Sequence, residues 1–383
     1  MRDRWRSREV RAPDVEAGAA ARSRQQQLTK PPGSLGRLED LACWLAARLR
    51  SPMPVMPRSE IFVFAADHGV AARGVSAFPQ SVTAQMLGNF ASGGAAINVL
   101  ASLEDCRIEV VDVGVAGQGA LPPGIRNERV RDGTADLTIE AAMSEQELER
   151  AMEVGERCAR ESVERGARLL IAGDMGIANT TAAACLICAL TGAQPEIVVG
   201  RGTGLDDPGL ARKTEVVATA LARVMAAVGT TAADFVRLAE RGEAAPLAWP
   251  LLAQVGGLEI AAMAGFYIEA ARAGVIALLD GYISTAAALV AASLEPATLG
   301  WMLASHRSAE PGHLVALEAL GLEPLIDLGM RLGEGSGAAL TLPIVRAALA
   351  LHRNMATFSE AGVAEAVDPD SVASPPPTGG GSA

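Results

Sequence analysis

Residues 167–190 read ARLLIAGDMGIANTTAAACLICAL, and the order of side chains in this stretch decides the fold. The apolar run that begins it is continuous rather than alternating, as in a strand covered on both faces. It stops at Gly173 and Asp174, where a glycine permits close approach and a carboxylate points out of the sheet. Gly176 gives a second close approach, and Asn179-Thr180-Thr181 then open an Ala-rich run of helical length. Strand, polar end and helix follow one another within 24 residues.

The same grammar recurs along the chain. EIFVFAADHG (60–69), RIEVVDVG (107–114), EIVVGRG (196–202), VIALLDG (275–281) and GWMLASH (300–306) read as further strands. Helices are expected over 80–102, 144–165, 178–191, 208–227, 257–273, 283–294 and 310–321. This alternation predicts an α/β fold in which helices cover both faces of a parallel sheet. Ligands of such sheets bind beyond the carboxyl ends of the strands. Those ends carry Asp67-His68, Asp112, Asp174, Arg201, Asp280 and Ser305-His306, so the unusual polar residues share one rim.

The flanks differ. Residues 1–58 read as helices joined by KPPGSLGRLE and SPMPVMP, and residues 338–365 return to helix. The two ends are expected to pack together as a small helical domain around a large domain of residues 59–337. The Pro/Gly/Ser-rich tail 366–383 is expected to be disordered.

Bulk properties narrow the function. A net charge of −11 and a pI near 5.0 argue against nucleic acid as a partner, because phosphate backbones need a basic face. The basic N-terminus MRDRWRSREVRAPD lacks an apolar h-region, and TTAAACLICAL and STAAALVAASL are too short to span a bilayer. Five cysteines, an odd number, fit reduced thiols and a cytoplasmic enzyme with no membrane association. Cys185 and Cys188 form a CxxC inside the Ala-rich helix, with no second pair or nearby His to complete a metal site. The four histidines are scattered, and no metal is expected.

Two glycine motifs, GRGTGLDD (200–207) and GEGSGA (333–338), are not GxGxxG, and no GxxxxGK[ST] occurs. GDMGIANTT offers either a phosphate cradle at a helix start or a plain Asn/Thr cap. Lys213, one of two lysines, is either a surface residue or a phosphate cation. Glu334 between its glycines is either a helix-start carboxylate favoured by the dipole or a catalytic group aimed into a cleft.

Taken in order, KPPGSLGRLE, AADHGV, PQSVTAQM, GGAAINVLA, DVGV, GDMGIANTT, VGRGTGLDD, VGGLEIAAMAG, LLDGYISTAAAL, SHRSAEPGH and MRLGEGSGAAL span about residues 28–356. The chain closely resembles the nicotinate-nucleotide:dimethylbenzimidazole phosphoribosyltransferase family. The resemblance implies a Rossmann-like large domain, a homodimer, no metal and no cofactor. It implies transfer of the phosphoribosyl group of nicotinate mononucleotide to dimethylbenzimidazole, giving α-ribazole 5′-phosphate and nicotinate for cobalamin assembly. The family's catalytic base falls on Glu334. A second carboxylate, usually Glu, falls on Asp174 and is one methylene shorter here.

The remaining expectations follow from that reaction. Gly176, Asn179, Thr180 and Lys213 are expected to hold the 5′-phosphate, with Ser305, His306, Gly333 and Gly335 at the nucleotide. Phe78, Met86, Met175 and Leu332 are candidates for the acceptor pocket. Asp67-His68 is expected to order a strand-end turn. Two alternatives stand beside this reading: transfer to another acceptor (a phenol, adenine or another benzimidazole), and a nucleotide-binding regulator without catalysis.

Overall fold

The computed structural model describes residues 9–364, apart from positions 118, 232, 235, 236, 239, 240, 242 and 244. The tail expected to be disordered lies outside the described residues. Six parallel strands form one sheet: β1 (Ser59–Ala66), β2 (Arg107–Gly114), β3 (Ile125–Asn127), β4 (Leu169–Met175), β5 (Ile276–Leu279) and β6 (Met302–Ala304). Their order is β3-β2-β1-β4-β5-β6. The chain runs outward from β1 and then restarts at β4 on the other side. That is the Rossmann arrangement, and its reversal opens a crevice between β1 and β4. A short parallel pair, β7 (His306–Arg307) with β8 (Ile326–Asp327), extends the β6 end.

Strand residues alternate between two cores, as the two-residue period requires. Phe62, Phe64, Leu170 and Ala172 face one core, and Ile61, Val63, Leu169 and Ile171 face the other. The first face is covered by helices including Glu145–Glu164, Asn179–Thr191, Leu258–Arg272 and Tyr282–Leu294. The second is covered by Ala96–Leu103, Arg37–Arg48 and Ser336–Asn354, whose Leu41, Leu45, Leu342 and Val345 join the sheet in one core. The chain ends also tie to each other. Arg24 Nε donates to the His352 carbonyl at 2.9 Å, Gln25 Nε2 meets His352 Nδ1 at 2.9 Å, and Leu28 bridges Thr357.

Three elements differ from the sequence expectation. Residues 196–202 are not a strand: Pro195–Val198 is a helical turn started by Pro195, and the Gly-rich loop follows. Val198 and Val199 are buried there by packing between helices rather than by sheet pairing. The sixth strand of the sheet is instead the three-residue β3, at its edge beside β2. The long helix expected over 80–102 is two helices, Ser81–Ala91 and Ala96–Leu103, interrupted at Gly93 with φ +78°. Together, residues 81–103 are long and apolar enough, by length and composition alone, to cross a membrane. The break means that no single straight helix crosses that length. A further helix, Ala245–Val255, contains Pro250 and lies outside the sequence expectation.

The first face depends on a close helix pair. At Gly155 of Glu145–Glu164, an added Cβ would fall far inside contact of the Ala262 carbonyl. Gly265 of Leu258–Arg272 meets the Met152 carbonyl in the same way. Backbone therefore packs on backbone, leaving no room for even a methyl group. Gly155→Ala should lower stability by about 1–3 kcal/mol, the usual range for overpacking a core. Urea unfolding that gives a change below about 0.5 kcal/mol would show that the pair has slack.

Candidate functional site

Beyond the carboxyl ends of β1, β4 and β5 lies a cavity of about 440 Å³. Its floor is made by two chain segments pressed together. Gly173 on β4 has no side chain, and the turn 333–335 occupies the space where one would be. The Glu334 N–H donates to the Asp174 carbonyl at 3.2 Å, which fixes the turn against the strand. Gly333, Glu334 and Gly335 all have left-handed φ values, +88°, +65° and +86°. The glycines adopt these readily, whereas for Glu334 the conformation costs about 1–2 kcal/mol. Ala178, with φ +76°, lines the same cavity. Among the described residues, two of the four non-glycine positions of positive φ thus sit in one site, and such strain concentrates at functional positions.

Glu334 is buried, at 4% exposure, and lines the cavity. It does not cap the helix that follows it; Gly335 occupies that position. Instead its Oε2 accepts the Ile97 N–H at 3.3 Å, in the first turn of Ala96–Leu103. Burial pushes the carboxyl above its ordinary value; the Ile97 bond opposes this, and the Asp280 charge adds to it. Asp174 sits beside it, its Oδ1 3.2 Å from where a Cβ on Gly333 would lie. Asn179 Nδ2 donates to Asp174 Oδ2 at 2.7 Å. Burial, followed by the Asp280 charge, pushes the Asp174 carboxyl up to about 8. The two carboxylates differ in support: one faces a helix start, the other a side-chain amide.

The other expected residues fall into two groups. Gly176, Asn179, Thr180, His306 and Gly333 line the cavity, as do Phe78, Met86, Met175 and Leu332 on its apolar side. Phe78 and Leu332 are 53% and 58% exposed and form the mouth. Lys213, Ser305 and Gly335 lie behind the lining. Lys213 is fully buried beneath the 200–203 loop, donating to Thr180 Oγ1 at 2.8 Å and to the Gly200 carbonyl at 3.1 Å. Burial draws its ammonium down to about 8, with Glu310 acting the other way. Lys213 is therefore not a surface residue.

The helix start after Gly176 is less open than its sequence suggests. The Asn179 and Thr181 N–H groups are taken by the Gly176 and Ala178 carbonyls, and the Ile177 N–H by Thr83 Oγ1. Arg201 is turned away to the Leu205 carbonyl and Asp207. Asp112 is also outside the cavity, paired with Arg129 at 2.9 Å.

Sequence reasoning missed Ser76, Thr203, Glu310 and Arg331. Ser76 Oγ and Thr203 Oγ1 meet at 3.0 Å across the entrance. Glu310 Oε1 accepts the Gly202 N–H at 3.0 Å, and Arg331 donates to the Gly202 carbonyl at 2.6 Å. The only signal for them was their place in or beside motifs already singled out, GRGTGLDD and SHRSAEPGH among them. Asp67 and His68 do order the turn after β1. Asp67 Oδ2 accepts the Ala116 N–H at 2.8 Å, and His68 Nε2 pairs with Glu259 Oε1 at 2.5 Å. Burial alone would lower the His68 pKa, but Glu259 reverses the effect and holds it above the ordinary value.

A family model described as "Phosphoribosyltransferase" (DBI_PRT) matches residues 10–363. The nicotinate-nucleotide–dimethylbenzimidazole phosphoribosyltransferase of Chromobacterium violaceum is 58% identical over 351 residues, covering 91% of this chain and 96% of the relative. The enzyme of the same name from Mycobacterium avium is 52% identical, covering 93% of this chain and 97% of its own. The chain belongs to this phosphoribosyltransferase family. A crystal structure of the family's Thermus thermophilus member superposes with a TM-score of 0.83 at 48% identity, covering 92% of this chain and 100% of that one. The Rossmann-like fold thus stands on structural as well as sequence likeness.

The raised pKa of Asp174 has a consequence for stability. An unfolded Asp titrates near about 3.9, so between that value and about 8 the folded state holds a proton that the unfolded state has lost. Stability from this group is full below about pH 4 and falls as pH rises towards 8. Asp174→Asn, which carries no charge to bury, should gain stability relative to the parent as pH is raised over that range. Parallel melting curves at pH 4 and pH 8 check this; an unchanged difference in Tm would mean that Asp174 is ionised throughout.

Proposed function

We propose that this chain transfers the 5-phosphoribosyl group of nicotinate mononucleotide to 5,6-dimethylbenzimidazole, releasing nicotinate and α-ribazole 5′-phosphate for cobalamin nucleotide-loop assembly. The observation that carries the reading is Glu334, a buried carboxylic residue in a strained turn that lines a cavity with one apolar side. Its support is the full-length likeness to enzymes of that name.

The chemistry follows from that placement. One benzimidazole nitrogen attacks C1′ of the ribose while Glu334 takes the proton from the other nitrogen. The C1′–N bond to nicotinate breaks, and its electron pair returns to the pyridine nitrogen, which becomes neutral. No acid is needed on the leaving side, in contrast to the carboxylate pair of a glycosidase. Attack opposite the β-linked leaving group inverts C1′ and gives the α-product in one displacement. A raised pKa suits Glu334 as a base near neutral pH, and burial is its cause.

Asp174, with its carboxyl pushed up to about 8, holds a proton at neutral pH and can donate a hydrogen bond to a ring or ribose oxygen without competing for the role of base. Gly176 and Thr180 would take the phosphate, with Lys213 behind Thr180 as the cation that balances it. His306 and Gly333 would flank the ribose, with Ser305 and Gly335 supporting them from behind. Phe78, Met86, Met175 and Leu332 would clasp the flat acceptor, where apolar contact suits an aromatic ring.

A second acceptor has some support. The exposed mouth at Phe78 and Leu332, with a shorter carboxylate at 174, leaves room for another base such as a phenol, adenine or a differently substituted benzimidazole. A homodimer and a cytoplasmic location complete the proposal. The apolar residues left outside on Ala96–Leu103, Val99 and Leu103, suit a second subunit, and five free cysteines suit a reducing compartment.

Glu334→Gln keeps size and hydrogen-bonding shape but cannot accept a proton, so kcat should fall about 10²–10⁴-fold with dimethylbenzimidazole as acceptor. Asp174→Asn should do less. Product assays of both variants, run side by side over a panel of acceptor bases, check this; wild-type turnover in Glu334→Gln with collapse in Asp174→Asn would move the base to β4. Lys213→Ala should raise the Kd for nicotinate mononucleotide by about tenfold while sparing the acceptor site, because a buried cation one residue behind the phosphate still attracts it by about 1.4 kcal/mol or more. Calorimetry that finds the affinity unchanged would confine Lys213 to holding the 200–203 loop.

A further inference from the structure

Asp280 follows the last residue of β5 and is 1% exposed. Its carboxylate is filled by one stretch of backbone far away in sequence. Oδ2 accepts the Gly335 N–H at 3.1 Å, and Oδ1 accepts those of Gly337 and Ala338 at 2.9 and 3.0 Å. These donors open the helix Ser336–Asn354, whose own N-cap, Gly335, has no side chain to satisfy them. The dipole of that helix also favours an anion at this end.

The same carboxylate faces the strand on its other side. His306 Nδ1 lies 3.9 Å from Asp280 Oδ1 and 3.0 Å from Ser305 Oγ. Gly337 leaves the His306 ring the space that a Cβ would fill. One side chain therefore joins β5, the residues after β6 and the start of the last long helix.

We propose that Asp280 is a positioning residue for the transfer: by accepting three N–H bonds from residues 335–338 it holds the Glu334 carboxylate in the seat from which it reaches the acceptor. The proposal rests on the reading of Glu334 as the base. Its physical basis is that Glu334 has no preference of its own for a φ of +65°, so the turn must be held from outside. Two anchors do this. The Glu334 N–H on the Asp174 carbonyl fixes one end, and Asp280 fixes the other. The Asp280 charge also contributes to lifting both Glu334 and Asp174 above ordinary carboxylates. In Asp280→Asn the amide nitrogen would face a backbone N–H on one side, so at least one anchor is lost while volume is kept.

A double-mutant cycle tests the idea, using wild type, Asp280→Asn, Glu334→Gln and the double variant, with nicotinate mononucleotide and dimethylbenzimidazole. Asp280→Asn should lower kcat by about 10²-fold, the loss expected from misplacing a catalytic group by about 1 Å. KM for the nucleotide should move less than about threefold. The double variant should be no slower than Glu334→Gln, because a displaced base and an absent base leave the same site. If the two losses multiply, or if Asp280→Asn retains wild-type kcat, the proposal fails. Wild-type turnover in Glu334→Gln alone would instead remove the base assignment beneath it. Should circular dichroism show that Asp280→Asn does not fold, Asp280→Glu, which keeps the anion but shifts it by one methylene, carries the same cycle with the same criteria.

Discussion

Everything at this site depends on one contact between backbones, where Gly173 of β4 lies against the turn 333–335. The turn can lie flat on the strand only because position 173 has no Cβ and because glycines stand on both sides of Glu334. From that contact follow the left-handed conformation of Glu334, the nearness of Asp174 to Gly333 and the depth of the cavity floor. The parallel sheet supplies the rest of the setting. Its order places β4 beside β1 at the reversal, where neither neighbouring connection covers the strand ends.

The electrostatics of the floor are unusual for the same reason. Asp174, Asp280 and Glu334 are all buried, and among them the bonds on offer come mostly from neutral N–H groups rather than cations. Backbone donors stabilise a carboxylate without quenching its basicity as fully as a bidentate arginine would. Elsewhere the protein does use arginine, and the outcome is opposite: Glu60 and Glu161, bound by Arg165 and Arg126, are held below the usual carboxylate value despite burial of Glu60. The contrast shows that arginine partners, not burial, decide which way these carboxyls shift.

Much of this was legible in the sequence. Continuous apolar runs ending in Asp or Ser-His gave five of the strands, because a sheet covered on both faces needs both faces apolar. The Gly-Glu-Gly spacing marked Glu334 as a residue in an unusual backbone setting, which its φ of +65° bears out, but left open whether it starts a helix or faces a cleft. What failed was local. In the run at 197–199, Val198 and Val199 are buried by helices while Ile197 is exposed, and apolar side chains alone do not separate a strand from a helical turn. The helix Ala245–Val255 was hidden by its prolines, which tertiary packing overrides. Asp280 was visible as a strand-end residue, but its partners are 55 to 58 positions away, and no local pattern encodes such a bond. His68 with Glu259, 191 residues apart, is the same case.

The roof over the second face of the sheet is built from both chain ends, and this bears on how the protein is made. Arg37–Arg48 leaves the ribosome with an apolar face well before its partner Ser336–Asn354 is made. At a synthesis rate of about 5–20 residues per second, the roughly 300 residues between them take about 15–60 s. Throughout that interval one side of the nascent sheet, Ile61, Val63 and Ile171 included, lacks its final cover. The turn bearing Glu334 arrives with that same late helix. Until Ser336–Asn354 is made, that side of the sheet and the cavity floor at 333–335 are both incomplete, so closing the roof and forming the floor come together.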